Sequence, residues 1–324
     1  MLRTAICGVG RWGSRLIESV QGKSDKIQFV TVVTRNPAGQ SALADKFGVK
    51  LTSIYADVLA DGGIDAIVLA TPHSHHHQEI LAAAKAGKHL FVEKPFTLTR
   101  ASAQDAVDAC KAADVTVAMG FNRRYAPAWI DMMRRIGAGE VGHVLHVEAH
   151  FSGPSGYQLK PQDWRANQNE SPAGAMTARG VHALDAMLQV AGPVATVYAY
   201  SDRRELSVDV DDTTSCLMHF ANGVTGSLTT LHASTNFWRI HVFGSKGALE
   251  MRGDTELLFF EPDGKMTRHT FDAVDKERAE FEAFADAAAK KINFLIAPTE
   301  IVNNVAVMEA MVASARSGRP VNIG

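Results

Sequence analysis

The chain has 324 residues, of which 46% are hydrophobic and 21% are charged, and its formal net charge is -2. This length suits about two domains of roughly 150 residues each, and this balance is typical of globular domains that bury sizeable cores. The near-neutral charge provides no basic field, so nucleic acid is excluded as an expected partner.

Cysteine usage and hydropathy indicate the kind of compartment. The three cysteines, Cys7, Cys110 and Cys216, are few, odd in number and far apart, which favours a reducing compartment over a disulfide framework. No segment approaches the ~20 consecutive apolar residues of a membrane span. The N-terminal stretch MLRTAICGVGRWG reaches its glycines before a signal-peptide core could form. We therefore expect a soluble cytoplasmic protein with no membrane partner.

The first third of the sequence alternates short apolar runs with helical patterns. Strands are predicted at LRTAIC and IQFVTVV, and then at DAIVLAT, HLFVEK and VTVAMGF. Helices are predicted between them, for example at QEILAAAKAG and ASAQDAVDACKAA, and Asn36 followed by Pro37 is typical of a helix start. Near-continuous apolar strands separated by helices indicate a parallel sheet covered on both faces.

The pattern changes after about Gly139, where strands follow one another with few helices between them. The predicted strands are VLHVEAHF, TVYAYSD, TTSCLMHFANG, VTGSLTTLHA, RIHVFGS, GALEMR, ELLFFEPDGK and TRHTF. Tight turns are predicted at residues 221–223 and 262–264. One helix is predicted near residues 176–190 and others from Asp275 onward. This sheet should be mostly antiparallel with one open face, through which we expect a homo-dimer or homo-tetramer to form.

These elements predict an α/β protein of two domains. Residues 1–121 should form a dinucleotide-binding Rossmann domain with a doubly wound parallel sheet. Residues 122–324 should form an α+β domain with a large, mostly antiparallel, open-faced sheet for substrate binding and oligomerisation. The sequence also allows the C-terminal helices to pack against the first domain.

A glycine loop between the first strand and the first helix predicts cofactor binding. Gly8, Gly10 and Gly13 have the G-x-G-x-x-G spacing. In this motif the first glycine permits a tight turn, the second lets the backbone approach a pyrophosphate, and the third allows close packing of helix on strand. The helix N-terminus adds a partial positive charge.

The end of the second predicted strand bears on the choice between NADP and NAD. An NAD enzyme usually has an Asp or Glu here for the ribose hydroxyls, whereas this chain reads Thr34, Arg35 and Asn36. Arg35 could pair with a 2′-phosphate and Thr34 could donate a hydrogen bond to it. We therefore predict NADP, with NAD as the alternative cofactor and a solvated Arg35 as the alternative role for that residue.

Four histidines crowd into the segment TPHSHHHQEI, which raises the question of a metal site. The segment should open a helix, with Ser74 as a possible N-cap. Successive helical residues point about 100° apart, so His75, His76 and His77 cannot converge on one ion as tetrahedral zinc requires. No metal is therefore predicted.

Several motifs together resemble those of the Gfo/Idh/MocA oxidoreductases, the family of glucose–fructose oxidoreductase and inositol dehydrogenase. They are the glycine loop, the TP…H loop, FVEKPFTLT, GFNRRY, DWRAN and GVHALD, in this order along nearly the whole chain. The resemblance implies a Rossmann domain followed by a larger open-faced α/β domain. It specifies a family and no substrate.

The resemblance also implies roles for individual residues. Lys94 would end a sheet strand, where partial burial would lower its pKa and make it a proton donor or acceptor for a carbinol oxygen, and His182 matches the catalytic histidine. The matched substrate contacts are Asp185, Arg124, Trp164 and Arg165. The matched cofactor contacts are Gly8, Gly10, Arg11, Trp12, Gly13, Thr34, Arg35, Thr71, Pro72, His76, Glu93 and Lys94. The peptide bond before Pro95 is often cis in the family.

One position departs from the family pattern. Dehydrogenases of the family commonly carry an aspartate four residues before the histidine, where this chain has Ala178. Alanine can neither relay a proton nor accept a hydrogen bond. Either Lys94 and His182 suffice, or another group such as Asp185 substitutes, or the protein does not perform ordinary alcohol oxidation.

The resulting hypothesis is an NADP-dependent oxidoreductase that transfers hydride between the nicotinamide and a sugar, polyol or related carbonyl compound. The cofactor carries the redox step and the protein supplies orientation and electrostatics. Two alternatives remain: a lyase or glycosidase that uses bound NAD as a transient redox partner, and a cofactor-sensing regulator without turnover.

Overall fold

The structure, a computed structural model, describes residues 1–324. The chain forms two compact units, each with its own β-sheet. The first unit contains Met1–Asn122 and Asp275–Val302, and the second contains Arg123–Val274 and Asn303–Gly324. The first unit is therefore assembled from two separate stretches of sequence.

The first unit contains a six-stranded sheet in which every neighbouring pair is parallel. Its strands are β1 Leu2–Cys7, β2 Ile27–Val33, β3 Lys50–Thr52, β4 Ala66–Leu69, β5 His89–Val92 and β6 Val117–Met119. Their order is β3-β2-β1-β4-β5-β6. This is the doubly wound Rossmann order, so the predicted fold of this region is confirmed.

Nine α-helices accompany the two sheets. In chain order they are α1 Arg11–Val20, α2 Ser41–Phe47, α3 Tyr55–Ala60, α4 His73–Lys85, α5 Arg100–Ala112, α6 Pro127–Gly137, α7 Val181–Ala191, α8 Lys276–Ala288 and α9 Pro298–Ser317. Local chemistry explains several of their starts. Thr99 accepts a hydrogen bond from Ser102 N at the start of α5, Asp275 accepts one from Arg278 N at the start of α8, and Pro127 is the first residue of α6. None of the nine helices has the length and apolar composition that a membrane span requires.

The core of the first unit draws on both of its stretches of sequence. The ring of Phe281 in α8 lies 4.4 Å from that of Phe91 in β5 and 5.7 Å from that of Phe29 in β2, between ring centroids. Phe284 also packs against Phe91, and none of these four rings is more than 1% exposed. Helix α8 therefore contributes part of the core beneath the parallel sheet.

The second unit contains a nine-stranded sheet. Its strands are β7 Val144–Ser152, β8 Val194–Asp202, β9 Thr213–Phe220, β10 Thr225–Leu231, β11 Phe237–Gly244, β12 Gly247–Arg252, β13 Glu256–Phe260, β14 Met266–Thr270 and β15 Val321–Asn322. Their order is β14-β13-β12-β11-β7-β10-β9-β8-β15. Only β7 and β10 pair in parallel, which confirms the predicted, mostly antiparallel sheet.

The two faces of this sheet differ. Val147, Ala149 and Phe151 of β7 are buried on the face against which α7 packs. On the other face, Tyr200 of β8 and Leu217 of β9 are each 61% exposed. The sheet thus has one covered face and one open face.

Some predicted details were wrong or absent. Ser74 does not cap α4, because Pro72 holds the N-cap position in an extended conformation and Ser74 lies inside the first turn. Asn36 does accept a hydrogen bond from Gly39 N at 3.2 Å, but this supports a 3-10 turn at Ala38–Gln40 that precedes α2. The strands β3 and β15 and the helices α3 and α6 were not predicted.

Candidate functional site

The glycine loop joins β1 to α1, and two of its glycines are required by packing. A Cβ on Gly8, whose φ is +92°, would lie 2.5 Å from the Ala70 carbonyl oxygen, and a Cβ on Gly13 would lie 2.0 Å from the Gly8 carbonyl oxygen. Backbone atoms cannot move away as flexible side chains can. Gly8 therefore lets β1 approach the end of β4, and Gly13 lets α1 pack on the loop.

Gly10 has a different environment. A Cβ at this position would meet nothing within 4 Å, so the missing side chain leaves open space directly before α1. No side chain caps this helix, and its first turn contains no acidic residue. An uncapped N-terminus next to open space fits an anionic pyrophosphate, because helix N–H groups and the helix dipole favour negative charge.

The two residues between Gly10 and Gly13 differ in their exposure to solvent. Arg11 is exposed at the first position of α1. Trp12 is partly buried against the core of the first unit, and its indole Nε1 is buried without a hydrogen-bond partner.

The end of β2 lies beside the glycine loop. Gly8 N donates a hydrogen bond to the Val33 carbonyl at 3.0 Å, which places Thr34 and Arg35 next to the loop. Arg35 is exposed, and the Thr34 hydroxyl accepts a hydrogen bond from Asn36 N at 3.4 Å. Residues 34–37 contain no carboxylate. A cationic side chain therefore occupies the position at which NAD enzymes usually present an acid.

Thr71 and Pro72 follow β4 at the switch point of the sheet. At this point β1 and β4 are neighbouring strands, and the chain leaves them towards opposite edges of the sheet. The Thr71 hydroxyl donates to Glu79 Oε2 at 2.6 Å, and Tyr55 donates to the Glu79 carbonyl at 2.9 Å. Burial raises the pKa of Glu79, and the hydrogen bond from Thr71 opposes that rise. These bonds fix the loop before α4.

His76 connects two loops of the first unit. Its Nε2 lies 3.2 Å from the Thr71 carbonyl oxygen, and its Nδ1 lies 3.0 Å from that of Pro95 and 3.2 Å from that of Phe96. Its side chain is completely buried. Its expected role as a wall of the cofactor site stays a prediction. Its contacts hold the Thr71 loop against the loop that carries Lys94.

The neighbouring histidines have separate environments. His73 is buried and its ring lies 5.9 Å from that of His76, whereas His75 is exposed. His77 Nε2 lies 2.8 Å from Asp105 Oδ2, which links α4 to α5. No group of three or more His, Cys, Asp or Glu side chains in the chain is arranged to hold a metal ion.

Glu93 and Lys94 follow β5. Glu93 is buried, and its Oε1 lies 3.1 Å from the position that a Cβ on Gly120 would occupy. Its other carboxylate oxygen accepts a hydrogen bond from Lys94 N at 3.3 Å. The Lys94–Pro95 peptide bond is cis. The half-buried Lys94 thus stands at the same edge of the parallel sheet as the glycine loop and Thr71.

In the second unit, Arg124 and Asp185 bind one another. Arg124 Nε donates to Asp185 Oδ2 at 2.9 Å and Arg124 Nη2 donates to Oδ1 at 2.7 Å, and both residues are 4% exposed. Two predicted substrate contacts are therefore brought together as a buried bidentate ion pair. This pair ties the segment before α6 to α7.

His182 lies in the first turn of α7. Its ring centroid is 6.2 Å from that of Phe151 in β7. The chain enters α7 through a π-helical turn at Met176–Gly180, which contains Ala178. Such turns are frequent at functional sites because they re-aim the side chains that follow. Ala178, which stands where dehydrogenases of the family commonly have an aspartate, thus lies within this irregular turn.

Trp164 and Arg165 lie in a 3-10 turn at Trp164–Ala166. The Arg165 guanidinium lies 4.0 Å from the centre of the Trp164 ring, so these two predicted substrate contacts also stack on one another. Arg165 is exposed and Trp164 is partly buried.

Arg123 was not singled out from the sequence. Its Nη1 donates to Asp254 Oδ1 at 2.6 Å, and its guanidinium lies 4.6 Å from the Phe151 ring and 5.0 Å from the Trp238 ring. Its place beside Arg124 in GFNRRY was a signal that could have drawn attention to it. Its partners lie far along the sequence and give no such signal.

Two family models match the chain. The model described as the oxidoreductase family with an NAD-binding Rossmann fold matches residues 2–121, and the GFO/IDH/MocA C-terminal domain matches residues 129–250. The chain belongs to the Gfo/Idh/MocA oxidoreductase family. It is an oxidoreductase with a nicotinamide dinucleotide as cofactor, as the glycine loop of this family member indicates.

The relatives of this chain, among them named dehydrogenases and a protein of solved structure, align with different fractions of its length. D-xylose 1-dehydrogenase (NADP(+)) 2 of Haloferax volcanii is 26% identical over 100% of this chain and 98% of its own length. The scyllo-inositol 2-dehydrogenase (NAD(+)) of Bacillus subtilis is 38% identical over 45% of this chain and 43% of its own length. A solved oxidoreductase from Desulfitobacterium hafniense has a TM-score of 0.92 at 27% identity, over 99% of this chain and 97% of that one.

Proposed function

We propose that the protein is an NADP-dependent dehydrogenase that acts on a CH–OH group of a sugar or polyol. The observation that carries this proposal is the open space at Gly10, directly before the uncapped N-terminus of α1. This space lies at the switch point of a Rossmann sheet, and Lys94 lies at the same edge of that sheet. The similarity to named xylose and inositol dehydrogenases supports the substrate class.

The preference for NADP over NAD rests on the end of β2. Exposed Arg35 can form charge-assisted hydrogen bonds with a 2′-phosphate, and no carboxylate is available there for ribose hydroxyls. The xylose relative is named for NADP(+) and the inositol relative for NAD(+), so the relatives leave both cofactors open.

The residues of this chain would bind, orient and move a proton. The bound cofactor supplies the hydride acceptor. Gly10 and the N-terminus of α1 would hold the pyrophosphate, with Thr34 and Arg35 at the ribose end. Glu93 and His76 would position the loop of Lys94, whose Nζ would take up or return the hydroxyl proton of the substrate. The family resemblance implies a catalytic role for His182 as well. Ala178 contributes no group to this transfer.

The test begins with the nucleotide. Any nucleotide retained through purification is identified, and the apoprotein is then titrated separately with NADPH and NADH by nicotinamide fluorescence. Sugars and polyols are screened with the preferred cofactor. Tightly retained NAD would instead favour the NAD-recycling lyase or glycosidase, and absence of binding to either cofactor would refute the proposal.

The proton role of Lys94 is tested by Lys94→Ala. We expect kcat to fall by about 10²–10⁴-fold, because a positioned acid or base contributes this much. The matched control is Lys85→Ala, at an exposed lysine in the last turn of α4. An unchanged kcat in Lys94→Ala would remove the lysine from the mechanism.

We also propose that the protein forms a homo-dimer or homo-tetramer through the open face of its nine-stranded sheet and works in a reducing, cytoplasmic compartment. Exposed Tyr200 and Leu217 on that face and the three free, buried cysteines support these proposals. Light scattering of the wild type and of Leu217→Glu tests the assembly: a larger species that dissociates in the variant is expected, and a monomeric wild type would contradict it.

A further inference from the structure

The carboxylate of Glu79 in α4 binds the loop that follows β4. Its Oε2 accepts a hydrogen bond from the Thr71 hydroxyl at 2.6 Å. The backbone of α4 is fixed at the same residue, because the Tyr55 hydroxyl donates to the Glu79 carbonyl at 2.9 Å. The proposed function assigns no task to this carboxylate, although its partner lies at the switch point of the parallel sheet.

Thr71 lies against the glycine loop. A Cβ on Gly8 would lie 2.5 Å from the Ala70 carbonyl oxygen and 3.1 Å from Thr71 N, so the two loops are in direct contact. Ala70 N also donates to the Cys7 carbonyl at 2.8 Å, directly before the first glycine of the loop. A nucleotide whose pyrophosphate lies at the glycine loop would therefore pass beside Thr71.

The order of the strands indicates which half of the nucleotide would pass there. Strands β2 and β4 flank β1 on opposite sides. The proposed function places one ribose, that of the adenosine half, at the end of β2 beside Arg35. The ribose of the nicotinamide half would then lie at the end of β4 beside Thr71, because a dinucleotide binds across the switch point.

The charge of Glu79 determines which hydrogen bond Thr71 can offer to a ligand. An ionised carboxylate only accepts hydrogen bonds, so the Thr71 hydroxyl must donate its single proton to Glu79. The lone pairs of the Thr71 oxygen then remain as acceptors, and a ligand group that binds there must be a donor, such as a ribose hydroxyl. A protonated Glu79 could instead donate to Thr71 and release the threonine proton for other bonds.

The surroundings of Glu79 make its charge sensitive to pH. Burial raises the pKa of Glu79, and the hydrogen bond from Thr71 and the charge of His75 on the same helix oppose that rise. The Cys7 thiol of β1 and the Tyr55 hydroxyl of α3 also interact with Glu79, and burial is the main cause that raises the pKa of both. These two groups are therefore neutral at physiological pH, and Glu79 supplies the negative charge beside the Thr71 loop.

We propose that Glu79 is a positioning residue for the nucleotide: its ionised carboxylate orients the Thr71 hydroxyl, whose oxygen accepts a hydrogen bond from a hydroxyl of the nicotinamide ribose. The inference rests on the proposed function and adds a residue to the same cofactor site. Glu79 acts through Thr71 and does not touch the nucleotide. Affinity for the nucleotide should fall as the pH falls through the pKa of Glu79, because protonation removes the constraint on the Thr71 hydroxyl.

Titration of the intact wild type and of Glu79→Gln with NADP⁺ at several pH values tests the proposal. Quenching of tryptophan fluorescence reports binding, since Trp12 lies in the glycine loop. The amide of the variant can donate or accept, so it enforces no single orientation of Thr71. At about pH 8 we expect the Kd of the variant to exceed that of the wild type by about 3–10-fold, which corresponds to one hydrogen bond. This ratio should decline as the pH is lowered towards about 5, and the 2′-phosphate cancels from it because it titrates alike with both proteins.

The matched control is Asp108→Asn. Asp108 is an exposed carboxylate of α5 that accepts a hydrogen bond from the neutral Gln104 Nε2 at 3.0 Å. The ratio of Kd values for this variant and the wild type should stay near one at every pH. A ratio for Glu79→Gln that does not vary with pH would overturn the proposal.

Two substitutions of Thr71 separate orientation from structural support. In a Thr71→Val background, which lacks the hydroxyl, Glu79→Gln should change the Kd by less than about twofold, since no hydroxyl remains to be oriented. In a Thr71→Ser background, which keeps the hydroxyl, Glu79→Gln should still produce the pH-dependent ratio. An equal loss of affinity in the Thr71→Val and wild-type backgrounds would show that Glu79 acts independently of Thr71 and would contradict the proposal.

These readouts separate the two proposals. A wild type that binds neither NADP⁺ nor NAD⁺ would refute the proposed function and this inference with it. Nucleotide binding and turnover by the wild type, together with an unchanged Kd in Glu79→Gln, would support the dehydrogenase and refute the role of Glu79.

Discussion

Arg124 and Asp185, which are 61 residues apart in the sequence, meet in two parallel hydrogen bonds with almost no solvent access. A carboxylate held in this way is oriented by its arginine. We therefore propose that Asp185 is a positioning residue, which acts through α7, where it lies three residues after His182.

Removal of one partner of this pair should destabilise the second unit. We expect Asp185→Ala to reduce the free energy of unfolding by about 3–5 kcal/mol, because the buried Arg124 guanidinium would lose this carboxylate partner. The measurement is urea denaturation, with Asp209→Ala as the control, since the Asp209 side chain is 66% exposed in its ion pair with Arg203. Unchanged stability together with a raised KM would instead make Asp185 a direct substrate contact.

Loss of the Arg35 charge should weaken NADPH binding selectively. Arg35→Gln is expected to raise the Kd for NADPH by about 10–100-fold and to leave the Kd for NADH nearly unchanged, because a charge-assisted hydrogen bond contributes about 1.5–3 kcal/mol. Fluorescence titration of both nucleotides provides the measurement, with Lys85→Gln as an exposed control in the same unit. Equal losses of affinity for NADPH and NADH would show that Arg35 does not contact the 2′-phosphate.

Gly10→Ala should separate cofactor binding from folding. Its added Cβ meets nothing in the protein, so thermal stability should hold while the Kd for the cofactor rises by at least about tenfold. Gly62→Ala also adds a Cβ in open space and should leave both properties intact. Gly13→Ala should instead impair folding, because its Cβ would strike the Gly8 carbonyl. Undiminished affinity in Gly10→Ala would place the pyrophosphate elsewhere.

Asp212 should make stability depend on pH. Burial alone would raise the pKa of this carboxylate, but hydrogen bonds from the backbone N–H groups of residues 204–206 and from the Thr213 hydroxyl lower it below the ordinary 3.8. Because the pKa is lower in the folded state, the stabilisation is complete above the unfolded value and is lost as the pH falls towards the folded value.

The corresponding variant is Asp212→Asn. At pH 7 it should unfold at lower urea concentration than the wild type, and the difference should shrink below about pH 5 as the wild-type carboxylate takes up its proton. Asp209→Asn is the exposed control. A difference that stays constant with pH would show that the charge of Asp212 contributes nothing.

The sequence predicted best those features that depend on neighbouring residues. The bounds of β1 and β2 were predicted to the residue, because Gly8 directly follows β1 and the polar residues Lys26 and Thr34 flank β2. The glycine loop is equally local. By contrast, β3 has only three residues, too few for a periodic pattern, whereas α6 carried a usable signal in Pro127.

The candidate site was harder to predict because its geometry is long-range. The resemblance to the family implied that Arg124 and Asp185 both touch substrate, and nothing in their spacing indicated that they bind each other. The burial of His76 depends on the loop after β5, about 20 residues later in the chain, and its own neighbours in sequence do not indicate this contact. Arg123 and Arg179 both contact the Phe151 ring although the three residues lie in separate parts of the sequence, and no local pattern indicates this.

The discontinuity of the first unit has a consequence for biosynthesis. During translation residues 1–122 leave the ribosome first, but the rings of Phe29 and Phe91 obtain their partners Phe281 and Phe284 only after residues 123–274 have been made. Until then the hydrophobic surface around Phe29 and Phe91 of the nascent dinucleotide-binding unit stays uncovered, and such surfaces bind chaperones and promote aggregation. A gene truncated after Asn122 would keep the whole parallel sheet and the glycine loop, yet it would encode an unstable fragment.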